Sequence, residues 1–289
     1  MSVVEPKYRR PLNDEQVAVL ELLFRFRFGT GELFASYFGK QLAKAIQKRL
    51  SILETQDFIA KHYDGSYKLK GKPAEYYLLA KGARLLRQTD RTTVYKIAVL
   101  ITDQAIKNRY KDKTASETFI KHSVNVFRLS LQFGQLYGDS LGFFTKSDLQ
   151  PHKYFIKPLP DAYLSLKTTK TDKTPRKRYF VEVFEDDIPL FVIIRRIKKY
   201  LQYQEEEEDK WGDSFPAVLM ITESSKRQKQ LQRRIAKELR DSYLDEEDIV
   251  FASTTLESVA GSLTIKDKIW QVVDEEKSMK ALSSIHVNH

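Results

Sequence analysis

The sequence predicts an α+β protein of two domains: a basic N-terminal domain of three helices and a hairpin, then an α/β domain with a mixed sheet. Apolar residues recur at helical spacing in three segments before residue 55. Residues 1–95 hold 17 Lys and Arg against 10 Asp and Glu, so most of the net charge of +10 lies there. Beyond about residue 140, short β-rich runs alternate with helices. A length of 289 residues suits two ordinary domains.

The first helix has a clear amino-terminal signal. Asn13 is a good N-cap, and Gln16 three residues later completes a capping-box pattern. The apolar spacing carries this helix to about Phe28. Thr30 can cap a second, short helix, which Gly39 ends. The two helices and the turn between them predict the first half of a helix–turn–helix.

A third helix is predicted from Lys40 to about Glu54, and it has two faces. Leu42, Ile46, Leu50 and Leu53 are assigned to the core. The opposite face is polar and basic, which is typical of a recognition helix in the major groove. Two strands follow, Phe58–Lys61 and Glu75–Leu79, with a lysine-rich tip between them suited to DNA backbone or minor-groove contact.

These elements predict a winged helix–turn–helix DNA-binding domain over residues 1–90. The candidate DNA contacts are lysines and glutamines of the third helix and lysines of the wing: Lys40, Gln41, Lys44, Gln47, Lys48, Lys68, Lys70 and Lys72. The alternative is a winged helix used for protein–protein contact, but lysines on both helix and wing favour duplex DNA. Residues 91–116 are predicted to be a linker or a dimerisation segment, so a homodimer stays open.

The α/β domain is predicted over residues 117–275, followed by a flexible tail at 276–289. An amphipathic helix spans Phe119 to about Tyr137, and His122 near its start is read as a helix-end histidine. Strands and helices then alternate after an antiparallel hairpin, which predicts a small mixed sheet flanked by helices.

Two carboxylates in this domain suggest a restriction-endonuclease-like fold. Asp161 and Glu182 stand 21 positions apart on adjacent predicted strands, which places both at one end of the sheet. Many metal-dependent nucleases hold Mg²⁺ with an Asp and the Glu of a Glu-x-Lys strand. Here Phe184 occupies the lysine position, and another carboxylate among Glu185, Asp186 and Asp187 could substitute. The next helix offers Arg195, Arg196, Lys198 and Lys199 as a displaced cation, and Arg196 is the candidate site residue. The alternative is structural: Asp161 caps a turn, and Glu182 pairs with a helix cation.

Other chemistries find no support in the sequence. There is no cysteine, so neither disulfides nor thiolate metal sites are expected. The histidines lack metal-ligand spacing, and neither a Walker-type phosphate loop nor a Gly-x-Ser-x-Gly elbow is present. No apolar run approaches the roughly 18 residues of a membrane helix, and the start lacks a signal-peptide core. We therefore expect a cytoplasmic protein without membrane contact.

The order of short motifs resembles the replication-relaxation family of bacterial mobile elements. The matching segments lie between about residues 12 and 240: Arg49–Leu53, Phe58-Ile59, Tyr77–Gly82, Pro160-Asp161, Phe180–Val183 and Arg196–Tyr200. Two positions depart from the family pattern. Phe184 stands where members often have an acidic residue, and Arg196 stands where they have the helix lysine.

The resemblance implies a role in plasmid replication, or in relaxation and transfer initiation of a conjugative element. It implies duplex DNA binding more strongly than any reaction, with a relaxase or replication protein as a further partner. The alternative is a metal-dependent DNA endonuclease that uses Asp161 and Glu182 as Mg²⁺ ligands and Arg196 as the accompanying cation. A transcriptional repressor is the second alternative. No cofactor is expected except Mg²⁺ in the nuclease case.

Overall fold

The protein is described from a computed structural model that covers residues 11–88, 101–167, 176–207, 211, 215–242, 248–273 and 278–285. The chain forms two compact units, Met1–Ile120 and Lys121–His289. Within the described residues, no helix is both long enough and apolar enough to span a membrane.

The first unit is mainly helical with one small sheet. Its elements in chain order are α1 (Asp14–Phe26), β1 (Phe28–Thr30), α2 (Gly31–Tyr37), α3 (Lys44–Thr55), β2 (Ile59–His62), α4 (Gly65–Leu69), β3 (Glu75–Leu78), α5 (Ala80–Gln88) and α6 (Asp103–Asn108). A 3₁₀ helix, Arg109–Thr114, follows, and α7 (Glu117–Tyr137) crosses the boundary between the units.

The predicted helix starts of α1 and α2 are confirmed. The Gln16 amide donates to the Asn13 side chain at 2.9 Å, and the Asn13 amide donates to Gln16 Oε1 at 3.0 Å, which is the reciprocal capping box. The Leu33 amide donates to the Thr30 hydroxyl at 3.4 Å. α1 ends at Phe26, two residues earlier than predicted, because Arg27 adopts a positive φ of 73° and turns the chain into β1.

The third helix begins later than the sequence indicates. α3 starts at Lys44 with Ala43 as its N-cap, so Lys40 and Gln41 precede the helix. Leu42, assigned to the core from its spacing, is 66% exposed. The Lys40 amide instead donates to the Ala35 carbonyl at 2.7 Å, which ends α2 and delays the next helix. The core face of α3 is Ile46, Leu50 and Leu53.

The strands of the first unit form an antiparallel sheet in the order β1-β3-β2. The predicted hairpin is present as β2 and β3, with Ile59 opposite Leu78. Its connection is not an open tip, because α4 lies within it and the Asp64 side chain caps that helix.

The segment predicted to be a linker or a dimerisation segment, residues 91–116, is folded in its described part. Residues 101–116 fold as α6 and the 3₁₀ helix, and Ala105 and Ile106 are buried. Asp112 is fully buried; Arg27 donates to its carboxylate, and its backbone carbonyl lies 2.9 Å from His62 Nε2. These contacts make the segment part of the first unit. Positions 91–100 of this segment lie outside the described residues.

The second unit is built on one seven-stranded mixed sheet. After α7 its elements are β4 (Leu141–Thr145), α8 (Lys146–Leu149), β5 (Ala162–Lys167), β6 (Arg176–Phe184), α9 (Leu190–Glu207), β7 (Ala217–Thr222), α10 (Ser225–Ser242), β8 (Phe251–Thr255), α11 (Leu256–Gly261), β9 (Trp270–Val272) and β10 (Met279–Lys280). The strand order is β10-β9-β8-β7-β6-β5-β4, in which β6, β7 and β8 are parallel and the other pairs are antiparallel. The predicted mixed sheet is therefore confirmed.

The core of the second unit lies between the sheet and the helices α9 and α10. Ile193, Ile197 and Tyr200 of α9 and Leu231 and Ile235 of α10 pack in one cluster with residues of β6, β7 and β8. β7 is buried along its whole length, as a central parallel strand covered on both faces should be. The packing fixes α9 and α10 against the sheet and so places the polar groups that they carry.

Residues 278–285, within the predicted flexible tail, form secondary structure and pack onto the second unit. β10 pairs with β9, with Met279 opposite Gln271, and so extends the sheet by one strand. Leu282 and Ile285 are buried, and the Tyr179 hydroxyl donates to the Leu282 carbonyl at 2.9 Å. The segment is ordered because its apolar residues complete the core beside Tyr179. The rest of the predicted tail lies outside the described residues.

Candidate functional site

Three carboxylates converge where β5 begins and β6 ends. Asp161 immediately precedes β5, Glu182 lies near the end of β6, and Glu185 follows that strand. All three are buried, with exposed fractions of 5%, 6% and 0%. Ala162 pairs with Val181, and the Val183 amide donates to Asp161 Oδ2 at 2.8 Å. The expectation that Asp161 and Glu182 lie at the same end of the sheet is confirmed.

Each of these carboxylates is bound by a basic side chain. Asp161 Oδ1 lies 2.9 Å from His122 Nε2 and accepts from Lys146 Nζ at 2.5 Å. Glu182 Oε1 accepts from Arg196 Nε at 2.8 Å and from Nη2 at 2.5 Å. We call the three acids and these three bases the carboxylate cluster. The structural alternative for Glu182, pairing with a helix cation, is the arrangement that the structure shows.

Neighbouring polar groups complete the hydrogen bonding of the cluster. The Tyr200 hydroxyl, one turn after Arg196 on α9, donates to Glu182 Oε1 at 2.6 Å. His122 Nδ1 lies 3.1 Å from Glu185 Oε2, so the imidazole bridges Glu185 and Asp161. Asn125, one turn along α7, also donates to Glu185 at 3.2 Å. The bridging role of His122 was missed in the sequence, where it was read as a helix-end histidine. The available signal was that His122 and Asn125 lie three positions apart, on one face of an amphipathic helix.

The basic groups of the cluster are held in their charged forms. Burial alone would raise the pKa of Asp161, but Lys146 and His122 outweigh it and hold that pKa below its ordinary value. Burial likewise opposes the charge on His122, yet Asp161 and Glu185 raise the pKa of His122 to about 10. Burial raises the pKa of Glu182, with Arg196 opposing the shift. At neutral pH His122 is therefore an imidazolium between two carboxylates.

These contacts do not fit a magnesium site. Mg²⁺ takes oxygen ligands in nearly octahedral geometry, but both Asp161 oxygens and Glu182 Oε1 already accept hydrogen bonds from the protein. An ion bound by Asp161 Oδ1 would have to displace the ammonium of Lys146 or the imidazolium of His122. Across the part of the chain that the structure describes, no group of three or more His, Asp or Glu side chains is arranged to hold a metal. Arg196 lies beside Glu182 as predicted, and a catalytic role for it, Asp161 or Glu182 stays a prediction.

The candidate DNA contacts of the first unit fall into two groups. Lys44, Gln47 and Lys48 are exposed on α3, and Lys68 and Lys70 are exposed in and after α4. Gln47 also donates to the Tyr76 hydroxyl at 3.4 Å, which ties the helix to β3. Among the described residues, Lys44, Lys48 and Lys68 form no ion pair, so their charges face outward uncompensated.

Two of the predicted DNA contacts are engaged within the protein. Lys40 Nζ lies 2.9 Å from both carboxylate oxygens of Glu15. Lys72 forms an ion pair with Glu117. Gln41 is exposed but precedes α3 instead of lying on it. The basic surface that the structure leaves free is therefore narrower than the predicted one.

Fold and site together define an α+β protein that pairs a basic helical unit with a mixed-sheet unit containing a charge-neutralised carboxylate cluster. The family model described as Replication-relaxation matches residues 20–218, more than half of the chain. The chain therefore belongs to the replication-relaxation family, which confirms the resemblance seen in the sequence motifs. No curated protein matches it.

One solved structure that matches is that of the restriction endonuclease FokI, at 11% sequence identity and a TM-score of 0.29. The match covers 89% of this chain and 47% of that one, so this chain spans about half the length of the endonuclease. At that TM-score the likeness carries no argument about fold or activity.

Proposed function

We propose that this chain is a duplex DNA-binding protein that acts in plasmid replication or relaxation, and that its first unit binds DNA as a winged helix. The observation that carries the proposal is the outward, unpaired charge of Lys44 and Lys48 on α3. Membership of the replication-relaxation family supports the biological setting. A cytoplasmic location and a relaxase or replication protein as partner belong to the same proposal.

The architecture of the first unit supports a winged helix. The element order α1, β1, α2, α3, β2, α4, β3 and the antiparallel sheet β1-β3-β2 are compatible with α2 and α3 as a helix–turn–helix pair. In such domains the second helix of the pair lies in the major groove. Here that helix is α3, whose buried face is Ile46, Leu50 and Leu53, so the face bearing Lys44, Gln47 and Lys48 points to solvent.

The exposed groups have the chemistry that duplex DNA requires. Lysine ammonium groups neutralise phosphates or contact guanine, and a glutamine amide can pair with an adenine edge. Lys68 and Lys70 add positive charge in the β2–β3 connection, where they suit contact with the DNA backbone. Lys40 and Lys72 already form ion pairs within the protein, so we expect them to contribute less to DNA binding.

The carboxylate cluster supports a binder over an endonuclease. In a metal-dependent nuclease, paired carboxylates hold the ion that activates water and stabilises the leaving oxygen. In this chain Lys146 and His122 bind Asp161 Oδ1, and Arg196 binds Glu182 Oε1. We infer that the cluster positions α7, α8 and α9 against the sheet, and that the second unit serves as a platform for a partner or a second copy.

Duplex binding by paired variants tests the proposal. Lys44→Gln with Lys48→Gln should weaken binding to a labelled duplex in fluorescence anisotropy. It should also lower the slope of log K against log salt by about 2, since each lost phosphate contact removes about 0.9. Lys111→Gln with Lys113→Gln removes the same charge from exposed positions elsewhere in the unit and should leave the slope unchanged. Equal effects of the two pairs would show that net charge, and not α3, carries the binding.

A plasmid assay separates the endonuclease alternative. Incubated with Mg²⁺ or Mn²⁺, the wild-type protein should leave supercoiled DNA intact while binding it. Nicking that Asp161→Asn abolishes would establish the nuclease instead. Because this substitution also removes the charge that faces His122 and Lys146, a thermal melt of the variant must show that it is folded. Binding upstream of the protein's own gene would favour the repressor alternative.

A further inference from the structure

The second unit has a groove lined by basic side chains, and none of these side chains belongs to the carboxylate cluster. The groove lies between α10 and the end of β9 and encloses about 630 Å³. The lining is basic, amide and small apolar: Lys229, Gln232, Arg233, Ala236, Arg240, Gln271, Val272 and Val273. None of these lining residues is acidic or aromatic.

The three basic residues of the groove are free to meet a ligand. Lys229, Arg233 and Arg240 are exposed, and none of them forms an ion pair within the described part of the chain. Arg234 of the same helix, by contrast, lies 3.0 Å from Glu238. Like charges one turn apart destabilise a helix. Lys229 and Arg233 lie one turn apart on α10, and Arg240 lies about two turns further along. These unpaired cations favour an anionic partner outside the chain.

The row of these three cations has the length and chemistry of a DNA backbone contact. From Lys229 to Arg240 the helix rises about 16 Å, which matches roughly five base-pair steps at 3.4 Å each. Proteins that grip single strands stack bases on aromatic side chains, and this groove has none among its lining residues. Its Gln232 amide is already engaged with Ser253 Oγ at 2.9 Å. Phosphates, and not bases, are the groups that the groove can recognise.

We propose that the groove between α10 and β9 binds the phosphate backbone of duplex DNA, as a contact separate from α3. The proposal rests on the proposed function only in taking duplex DNA as the ligand. A contact made through phosphates alone is independent of sequence, so it adds affinity and salt dependence to whatever selectivity α3 supplies.

The test is the salt dependence of binding to a labelled 30-base-pair duplex. The groove variant carries Lys229→Gln, Arg233→Gln and Arg240→Gln. The loss of three phosphate contacts should lower the slope of log K against log salt by about 2 to 3. The control variant, Lys153→Gln, Lys157→Gln and Arg195→Gln, removes the same charge from exposed positions outside the groove and should leave the slope unchanged. A groove variant that behaves like the control overturns the proposal.

The groove variant and its control are also made in the Lys44→Gln, Lys48→Gln background. This background separates failure of the groove proposal from failure of the proposed role of α3. If the α3 variant binds as wild type while the groove variant still lowers the slope, the role of α3 is wrong and the groove stands. If only the α3 variant lowers the slope, the groove proposal fails and the proposed function stands. Should the triple variant not fold, Arg233→Gln alone is expected to lower the slope by about 0.9, and an unchanged slope then overturns the proposal.

Discussion

At the scale of single residues, His122 shows how buried acids are held in this protein. Its two ring nitrogens contact Asp161 and Glu185, residues 39 and 63 positions away in sequence. Removing one partner of a buried ion pair leaves an uncompensated charge, which costs about 3–5 kcal/mol. His122, Lys146 and Arg196 therefore act as a group. The three acids can be buried because each of them has a basic neighbour.

The raised pKa of His122 predicts that stability depends on pH. The pKa is about 10 in the folded protein against 6.5 ordinarily, so folding retains a proton that the unfolded chain loses between those values. The stabilisation is complete below pH 6.5 and is lost as pH rises through about 10, at no more than about 1.4 kcal/mol per pH unit. Urea unfolding of wild type and His122→Gln should show a stability difference that shrinks from pH 6.5 to pH 10. A constant difference would contradict the assigned charge state.

Two glycines predict opposite effects of the same substitution. A Cβ at Gly82 would lie 2.6 Å from the Phe58 carbonyl oxygen, because α5 passes close to the residue that precedes β2. Gly82→Ala should therefore destabilise the protein by about 1–3 kcal/mol. Gly134, exposed within α7, has nothing within 4 Å of its added Cβ, and Gly134→Ala should stabilise by about 0.5–1 kcal/mol. Urea denaturation measures both, and a shared sign would refute the close approach at Gly82.

At the scale of elements, some boundaries could be predicted and others could not. Capping by Asn13 and Thr30 depends on residues three positions away, so local sequence was sufficient. The start of α3 depends on Lys40, whose amide and ammonium bind Ala35 and Glu15 of other helices. Leu42 fits the apolar spacing of the helix but lies outside it. Helical periodicity thus predicted which face of α3 is buried, but not where the helix begins.

The segment that follows β10, at the carboxyl end of the described chain, also yields a prediction. Leu282 is fully buried after β10, whereas a flexible tail would leave it in water. Leu282→Ala should cost about 2–5 kcal/mol through lost contacts and the cavity left behind. Leu263→Ala, at a side chain that is 85% exposed, is the matched control and should change stability by less than about 0.5 kcal/mol. Urea unfolding that shows no difference between the two variants would mean that residues 278–285 do not pack as described.

At the scale of the whole molecule, the order of helices and strands could be predicted from the sequence better than the contacts of the carboxylate cluster. The placement of Asp161 and Glu182 on adjacent strands followed from spacing and β pattern, and the pairing of β5 with β6 confirms it. The basic side chains that neutralise them come from α7, α8 and α9. Which of the many Lys, Arg and His residues reaches each acid depends on how those helices pack. Long-range packing of this kind leaves no local pattern, which is why His122 and Lys146 were not among the predicted site residues.

The two proposed DNA contacts predict where a bound duplex should protect the backbone from hydrogen exchange. With a saturating duplex at low salt, peptides of α3 should exchange more slowly, because the side chains of Lys44 and Lys48 order against phosphates. Peptides covering α10 and β9 should slow as well, through Lys229, Arg233 and Arg240. β7 is buried along its length, and its amides already exchange slowly because they are hydrogen-bonded within the sheet, so its exchange should not change.

At high salt the protection of both regions should decrease together, since phosphate contacts weaken with counterion release. Protection limited to α3 would remove the groove from the DNA surface, and protection limited to α10 and β9 would move DNA binding out of the first unit.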